Sequence, residues 1–168
     1  MKRMLCLLML IFGVFGFSSC SSGINMGKLT DYQNKDFSAS AIIALDGVKY
    51  KTNVEKQGSS LSISFSEPKN LSKYTFCVNE NGFFIRSGTL TVPVDAGAQF
   101  TKVSRIASLF SVSASDTWKI KKESIGGVNV YLCKSETEGT VLYIDASSLL
   151  PLKIIHGGIE ADITSFRQ

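Results

Sequence analysis

The chain has 168 residues, with 18 basic residues against 14 acidic ones, four cysteines and a single histidine. At this length one domain can bury about two thirds of its unfolded surface. The net charge of +4 is not gathered into a basic patch with interleaved aromatics, which disfavours nucleic acid as a partner.

The first three residues, Met1-Lys2-Arg3, are positively charged. Met4 to Phe17 then run apolar, broken only by Gly13 and Gly16, and the small residues Ser18 and Ser19 follow. That is the three-part layout of an export signal. The apolar run is shorter than the roughly 20 residues that cross a bilayer core. Phe17-Ser18-Ser19-Cys20 resembles the lipobox of bacterial lipoproteins, although Phe17 stands where that pattern prefers Leu. The resemblance implies that residues 1–19 are a lipoprotein signal peptide. Cys20 then receives a diacylglyceryl group and becomes the first residue of the mature chain. Lys2 and Arg3 leave with the signal, which halves the net charge. Two acyl chains hold more firmly than the marginal grip of one. The expected location is the outer face of the cell membrane, or the outer membrane of a Gram-negative host, and the membrane is a partner through this N-terminal lipid.

Residues 20–36 carry the lipidated cysteine and then a polar stretch containing Gly and Ser, without periodicity. They read as a flexible tether spanning some 20 to 25 Å. Residues 37–168 form the domain, and alternation with a period of two dominates them. Phe37 to Leu45, Asp46-Gly47 and Val48 to Val54 make a hairpin. Leu61, Ile63 and Phe65 alternate with serines until Pro68. Tyr74, Phe76 and Val78 lead to the turn Asn79–Gly82, and Phe83 to Ser87 and Thr89 to Val94 continue the meander.

The period then changes. Phe100, Val103, Ile106, Ala107 and Phe110 form one apolar stripe, with Lys102 and Arg105 opposite, which predicts an amphipathic helix. Strands resume at Trp118 and Ile120, at Val128 to Leu132 and at Val141 to Asp145. Leu152 to His156 and Ile159 to Phe166 form a last hairpin around Gly157-Gly158. The total is ten or eleven strands and one clear helix. The expected fold is α+β: an antiparallel half-open β-barrel with the helix covering its concave face.

Chemistry-bearing motifs are scarce. His156, the single histidine, reads as a strand end before a turn. No GxSxG elbow, GxxxxGK[ST] loop or GxGxxG fingerprint occurs. Asp145 with Asp162 or Glu160 could in principle pair as carboxylates, but acids at strand ends are more often turn formers. No catalytic residue, metal or cofactor is expected. Cys77 and Cys133 lack CxxC spacing; in an exported domain they either bridge or stay apart as buried thiols in strands. The aromatics Phe65, Phe76, Phe84, Phe100, Phe110, Trp118 and Tyr143 either fill a core or line a cavity between sheet and helix.

From Phe37 to Gln168 the chain resembles the LolA/LolB superfamily of lipoprotein carriers. The likeness is carried by Gly127-Val128 to Tyr131, Gly139 to Asp145 (GTVLYID), Leu150-Pro151-Leu152-Lys153-Ile154 and the closing strand ending at Phe166. Asn70-Leu71 to Gly88 is similar to that family's strand, turn and strand ahead of a helical insertion. The resemblance implies an incomplete barrel whose cavity takes acyl chains. The expected ligand is an acyl chain or other hydrophobic small molecule, and the residues expected to contact it are Phe65, Phe76, Phe100, Val103, Ile106, Phe110 and Trp118. The alternative is a non-catalytic envelope protein that engages a cell-wall enzyme or signalling partner through its outer surface. That family's basic residue at the mouth, which holds the lid, has no assignable counterpart in the sequence.

Overall fold

The structure is a computed structural model and describes residues 24–94 and 101–168. Residues 1–19, Cys20 and Phe100 therefore lie outside the described residues. Among the described residues no helix is long and apolar enough to cross a membrane.

Eleven strands form one antiparallel sheet: β1 Phe37–Leu45, β2 Val48–Gln57, β3 Ser60–Glu67, β4 Thr75–Asn79, β5 Gly82–Ser87, β6 Leu90–Val94, β7 Trp118–Ile125, β8 Val128–Ser135, β9 Val141–Asp145, β10 Pro151–His156 and β11 Ile159–Arg167. Among the described residues two short α-helices accompany them, α1 Met26–Leu29 and α2 Thr101–Ser108. The spatial order is β6-β5-β4-β3-β2-β1-β11-β10-β9-β8-β7. Each strand pairs with its sequence neighbour except at two places: β1 pairs with β11, and β6 does not pair with β7. The expected half-open barrel is the architecture observed.

Local sequence explains the hairpins. Leu45 faces Val48 across Asp46-Gly47, both with positive φ (51° and 76°), so the two-residue turn matches the strand twist. Gly157 and Gly158, with φ of 55° and 77°, do the same between β10 and β11. Bulges at Ser40/Ala41, Lys51/Thr52 and Pro151/Lys153 interrupt the register and add curvature.

The core lies on the concave face. Ile43, Val54, Ile63, Leu142, Ile144, Ile154 and Ala161 are fully buried there. The aromatic centre matches the expected set only in part: Phe65 and Phe110 are in the core, with Phe76 and Trp118 packed against it. Phe84 and Tyr143 alternate with core-facing neighbours and lie on the outer face, Phe84 opposite Cys77 and Tyr143 between Leu142 and Ile144. Tyr32, Phe37 and Phe166 take their place. The Phe37 and Phe166 rings stack at 4.9 Å, and Tyr32 meets Phe166 edge-on at 5.5 Å. Burial raises the Tyr32 hydroxyl pKa to about 12.

One expectation is corrected and one open alternative is decided. The stretch read as a flexible tether is part of the domain from Ile24 on. Met26, Leu29 and Tyr32 follow one another at helical spacing and bury themselves in the core, with Leu29 wholly inaccessible. Asn25 caps α1 through its side chain, and the Thr30 hydroxyl donates to the Met26 carbonyl at 2.7 Å. A bridge between Cys77 and Cys133 is also ruled out: both thiols are free, and they sit on opposite faces of the sheet. Phe76 and Val78 point inward, so Cys77 points out to Ser62, whereas Cys133 lies in the core beside Tyr131, where burial pushes its thiol up to about 12.

If residues 24–36 are structural, Leu29→Ala should cost about 2–5 kcal/mol in urea unfolding, the range for emptying a buried leucine site. A change below about half a kcal/mol would mean that this segment is a tether after all.

Candidate functional site

With eight residues, α2 is too short to persist on its own and depends on packing. Val103, Ile106 and Ala107 point down onto the sheet. The chain then tightens: the Leu109 and Phe110 amides donate to the Ile106 and Ala107 carbonyls at 3.3 and 3.0 Å. Leu109 is wholly buried, and the Phe110 ring lies 6.1 Å from Phe37. One end of the helix is thus pinned into the aromatic centre.

The other end covers a hollow. A cavity of about 310 Å3 separates α2 from β2, β3 and β4. Tyr50, Phe65 and Phe76 form its sheet wall and meet edge to face, with centroids 5.8 and 5.6 Å apart. Val103 and Ile106 form the roof, Leu71 closes one side, and Lys102 stands at the rim. Beyond Phe76 the apolar surface continues to the sheet edge. Phe76 faces Ile85 and Val78 faces Phe83; those two in turn face Val92 and Val94 on β6. Opposed residues of an antiparallel pair share a face. The coverage thins along this path, to 44% exposure at Val92 and 63% at Leu90.

The polar side of α2 is tied to two hairpin tips. Arg105 donates through Nη2 to the Gly157 carbonyl at 2.9 Å and lies 3.6 Å from Asp46 through Nη1. Lys102 Nζ reaches the other Asp46 oxygen at 3.3 Å. Sequence reasoning assigned no contact of this kind; in the structure Arg105 ties α2 to the Asp46 and Gly157 turns. Its signal was its place opposite the apolar stripe, but only the pairing of β1 with β11 sets the Asp46 and Gly157 turns side by side. These groups are half exposed, and such ion pairs contribute little.

Of the residues predicted to contact a ligand, the structure brings Phe65, Phe76, Val103 and Ile106 together around the cavity. Phe110 and Trp118 do not line it. Phe110 is consumed by the aromatic centre, and Trp118, on the far side of the barrel, donates its indole N–H to the Ser113 carbonyl at 3.2 Å. Tyr50 and Leu71 were missed because alternation marks the one only as a core position and a 3-10 turn holds the other.

A larger hollow, about 490 Å3, lies where β1 begins and β11 ends. Asp36, Glu55, Lys56 and Arg167 line it with both signs of charge, which suits water better than an apolar ligand. The acids named above have other partners. Ser147 and Ser148 donate to Asp145 and hold its carboxyl down at about 2, the action of a turn former. Glu160 and Asp162 both pair with Lys153 and raise its pKa. His156 hydrogen-bonds the buried Thr140 hydroxyl at 2.7 Å. Among the described residues no group of three or more His, Cys, Asp or Glu is placed to hold a metal.

No family's sequence profile matches the chain, and no curated protein does. Among solved structures, an uncharacterized conserved protein from Thermus thermophilus superposes with a TM-score of 0.56 at 9% identity, covering 85% of each chain. A LolA superfamily protein from Nitrosomonas europaea follows at 0.42 and 10% identity, covering 86% of this chain and 94% of that one. MucB follows at 0.43 and 13%, covering 84% of this chain and 56% of MucB. The first likeness is one of fold alone, and the two below 0.5 bear on nothing further.

Arg105→Ala should lower stability by no more than about 1 kcal/mol. Ile106→Ala should lower it by about 2–5 kcal/mol. Chemical denaturation of both variants checks the order; an Arg105 cost equal to that of Ile106 would make the polar tie the main restraint on the helix.

The chain folds as an eleven-stranded half-open barrel with a helix over its concave face, the fold that its resemblance to the LolA/LolB superfamily implies.

Proposed function

We propose that the chain is a non-catalytic, lipid-anchored extracytoplasmic protein that takes an acyl chain, or an apolar ligand of similar width, under α2. The observation that carries this reading is the 310 Å3 cavity with its aromatic floor and aliphatic roof. Its volume falls at the lower end of the range for ligand sites, about 300–1,000 Å3, and its lining is apolar with one charged group at the rim. Each methylene buried there would contribute about 0.8 kcal/mol. Binding of this kind needs no directional partner, so sequence signatures of chemistry are not required.

The mechanism follows from how α2 is held. The Phe110 end is fixed by burial, and the Lys102 end is fixed by exposed ion pairs that water can replace. Movement of the weaker end admits the ligand, and Val103 and Ile106 reclose over it. Lys102 can exchange Asp46 for an anionic headgroup at the rim. The anchor in this reading is Cys20, for which the lipobox-like Phe17-Ser18-Ser19-Cys20 is the support. The exposed apolar strip at Leu90 and Val92 favours a second reading, in which a segment of an envelope protein covers the β5–β6 end.

The test is native mass spectrometry of the chain from Ser21 onward, made without its lipid and mixed with a fatty acid. The wild type should bind one molecule. Val103→Phe, which fills the cavity at a typical cost of about 1–3 kcal/mol, should bind at least tenfold more weakly while remaining folded. Equal binding by a folded Val103→Phe variant, or none by the wild type, would contradict the proposal.

A further inference from the structure

The outer face of the sheet carries a second apolar hollow, about 360 Å3, at the β7–β8 hairpin. Val130 and Tyr143 form its floor. Ile125, Val128 and Leu152 form its rim and are exposed by 46%, 43% and 36%. Ile125 faces Val128 directly across Gly126-Gly127, so two large apolar side chains flank one exposed hairpin tip, with Leu152 beside them. Clusters of this kind on a surface mark a contact with lipid or with another protein.

Strand polarity fixes where this tip lies. Each strand from β1 through β11, β10, β9, β8 and β7 runs antiparallel to the next. The end of β7 and the start of β8 therefore lie at the same end of the barrel as the start of β1 and the end of β11. Tyr32 packs at that end, against Phe37 and Phe166, and Ile24 packs against the same core. Tyr32 thus ties the N-terminal segment of the described residues to the end that carries the apolar tip. Asp46, Gly157 and the Lys102 rim of the cavity lie at the opposite end.

We propose that the β7–β8 hairpin tip, with Ile125, Val128 and Leu152, is a membrane-docking surface that sits in the headgroup interface of the bilayer holding the Cys20 lipid. This inference rests on the lipid anchor of the preceding section. Only Ser21, Ser22 and Gly23 separate Cys20 from Ile24, a reach of no more than about 14 Å. The eight residues of β8 alone span about 26 Å. The leash is therefore shorter than the barrel, and the apolar tip shares its end of the barrel with Tyr32, which belongs to the same N-terminal segment. The charge toward the tip of β7 suits an anionic lipid surface: Lys121 and Lys122 are exposed there against a single acid, Glu123, whereas Lys119, at the other end of the strand, is paired with Glu136. Docked this way, the cavity rim faces away from the anchoring membrane.

The full-length chain, lipidated in bacteria, is purified and reconstituted in vesicles of phosphatidylcholine and phosphatidylglycerol. Cys77 and Cys133 are buried, so a fluorescent probe reports a single introduced thiol, either Ile125→Cys or Leu90→Cys at the far end. Flotation of the vesicles, compared with the Cys20→Ser variant, reads the anchor independently. The expected result is co-flotation that depends on Cys20, with several-fold stronger quenching by spin-labelled lipid at position 125 than at position 90. Co-flotation with equal quenching at the two positions would overturn the docking surface and leave the anchor standing. Protection of position 125 from an aqueous quencher without lipid quenching would assign the tip to a protein partner and overturn the proposal. Loss of co-flotation in the wild type would remove the anchor, and the docking surface with it.

Discussion

The pairing of β1 with β11 sets the rest of the structure. It places the first and last strands together in the middle of the sheet, so the free edges fall at β6 and β7, which are consecutive in the chain. Of the segment joining those edges, the described part carries α2, whose Val103, Ile106 and Ala107 pack on the core. The same pairing brings the β1–β2 and β10–β11 turns side by side, where Asp46 and Gly157 receive Arg105. The exposed edges are blunted in ways that discourage pairing with another chain: β6 carries Pro93 and β7 carries three lysines.

The helix is held unevenly. Toward Phe110, apolar burial dominates, with Leu109 and Ile106 out of reach of water. Toward Lys102, the restraints are half-exposed ion pairs and one hydrogen bond. A segment fastened strongly at one end and weakly at the other opens at the weak end, and the cavity lies under that end. Low local stability over the cavity is what the proposed admission of a ligand requires.

Much of this was legible in the sequence, and for physical reasons. Two-residue turns such as Asp46-Gly47 and strict alternation in β1 to β3 announce hairpins, and the change of period announces the helix. Phe65, Phe76, Val103 and Ile106 were found because a position's period fixes the face it presents. The failures have equally definite causes. Met26, Leu29 and Tyr32 repeat every third residue through a four-residue helix and a 3-10 turn, too short a run to register against polar neighbours. Phe110 and Trp118 carry the right face but sit past the cavity, a distance no periodicity encodes. The two cysteines lie on opposite faces because Cys77 falls between the inward-facing Phe76 and Val78 while Cys133 itself faces the core, and their strands, β4 and β8, are far apart in the sheet order.

The central claim is that α2 is a cover whose weaker end rests over an apolar cavity that we propose takes a ligand. Amide hydrogen exchange of the lipid-free chain, with and without a saturating fatty acid, addresses it directly. The account predicts that ligand slows exchange in Lys102 to Ser108 and in β3 and β4, and leaves β8 and β9 unchanged. Equal exchange in α2 with and without ligand, or protection confined to the outer β7–β8 hairpin, would contradict it.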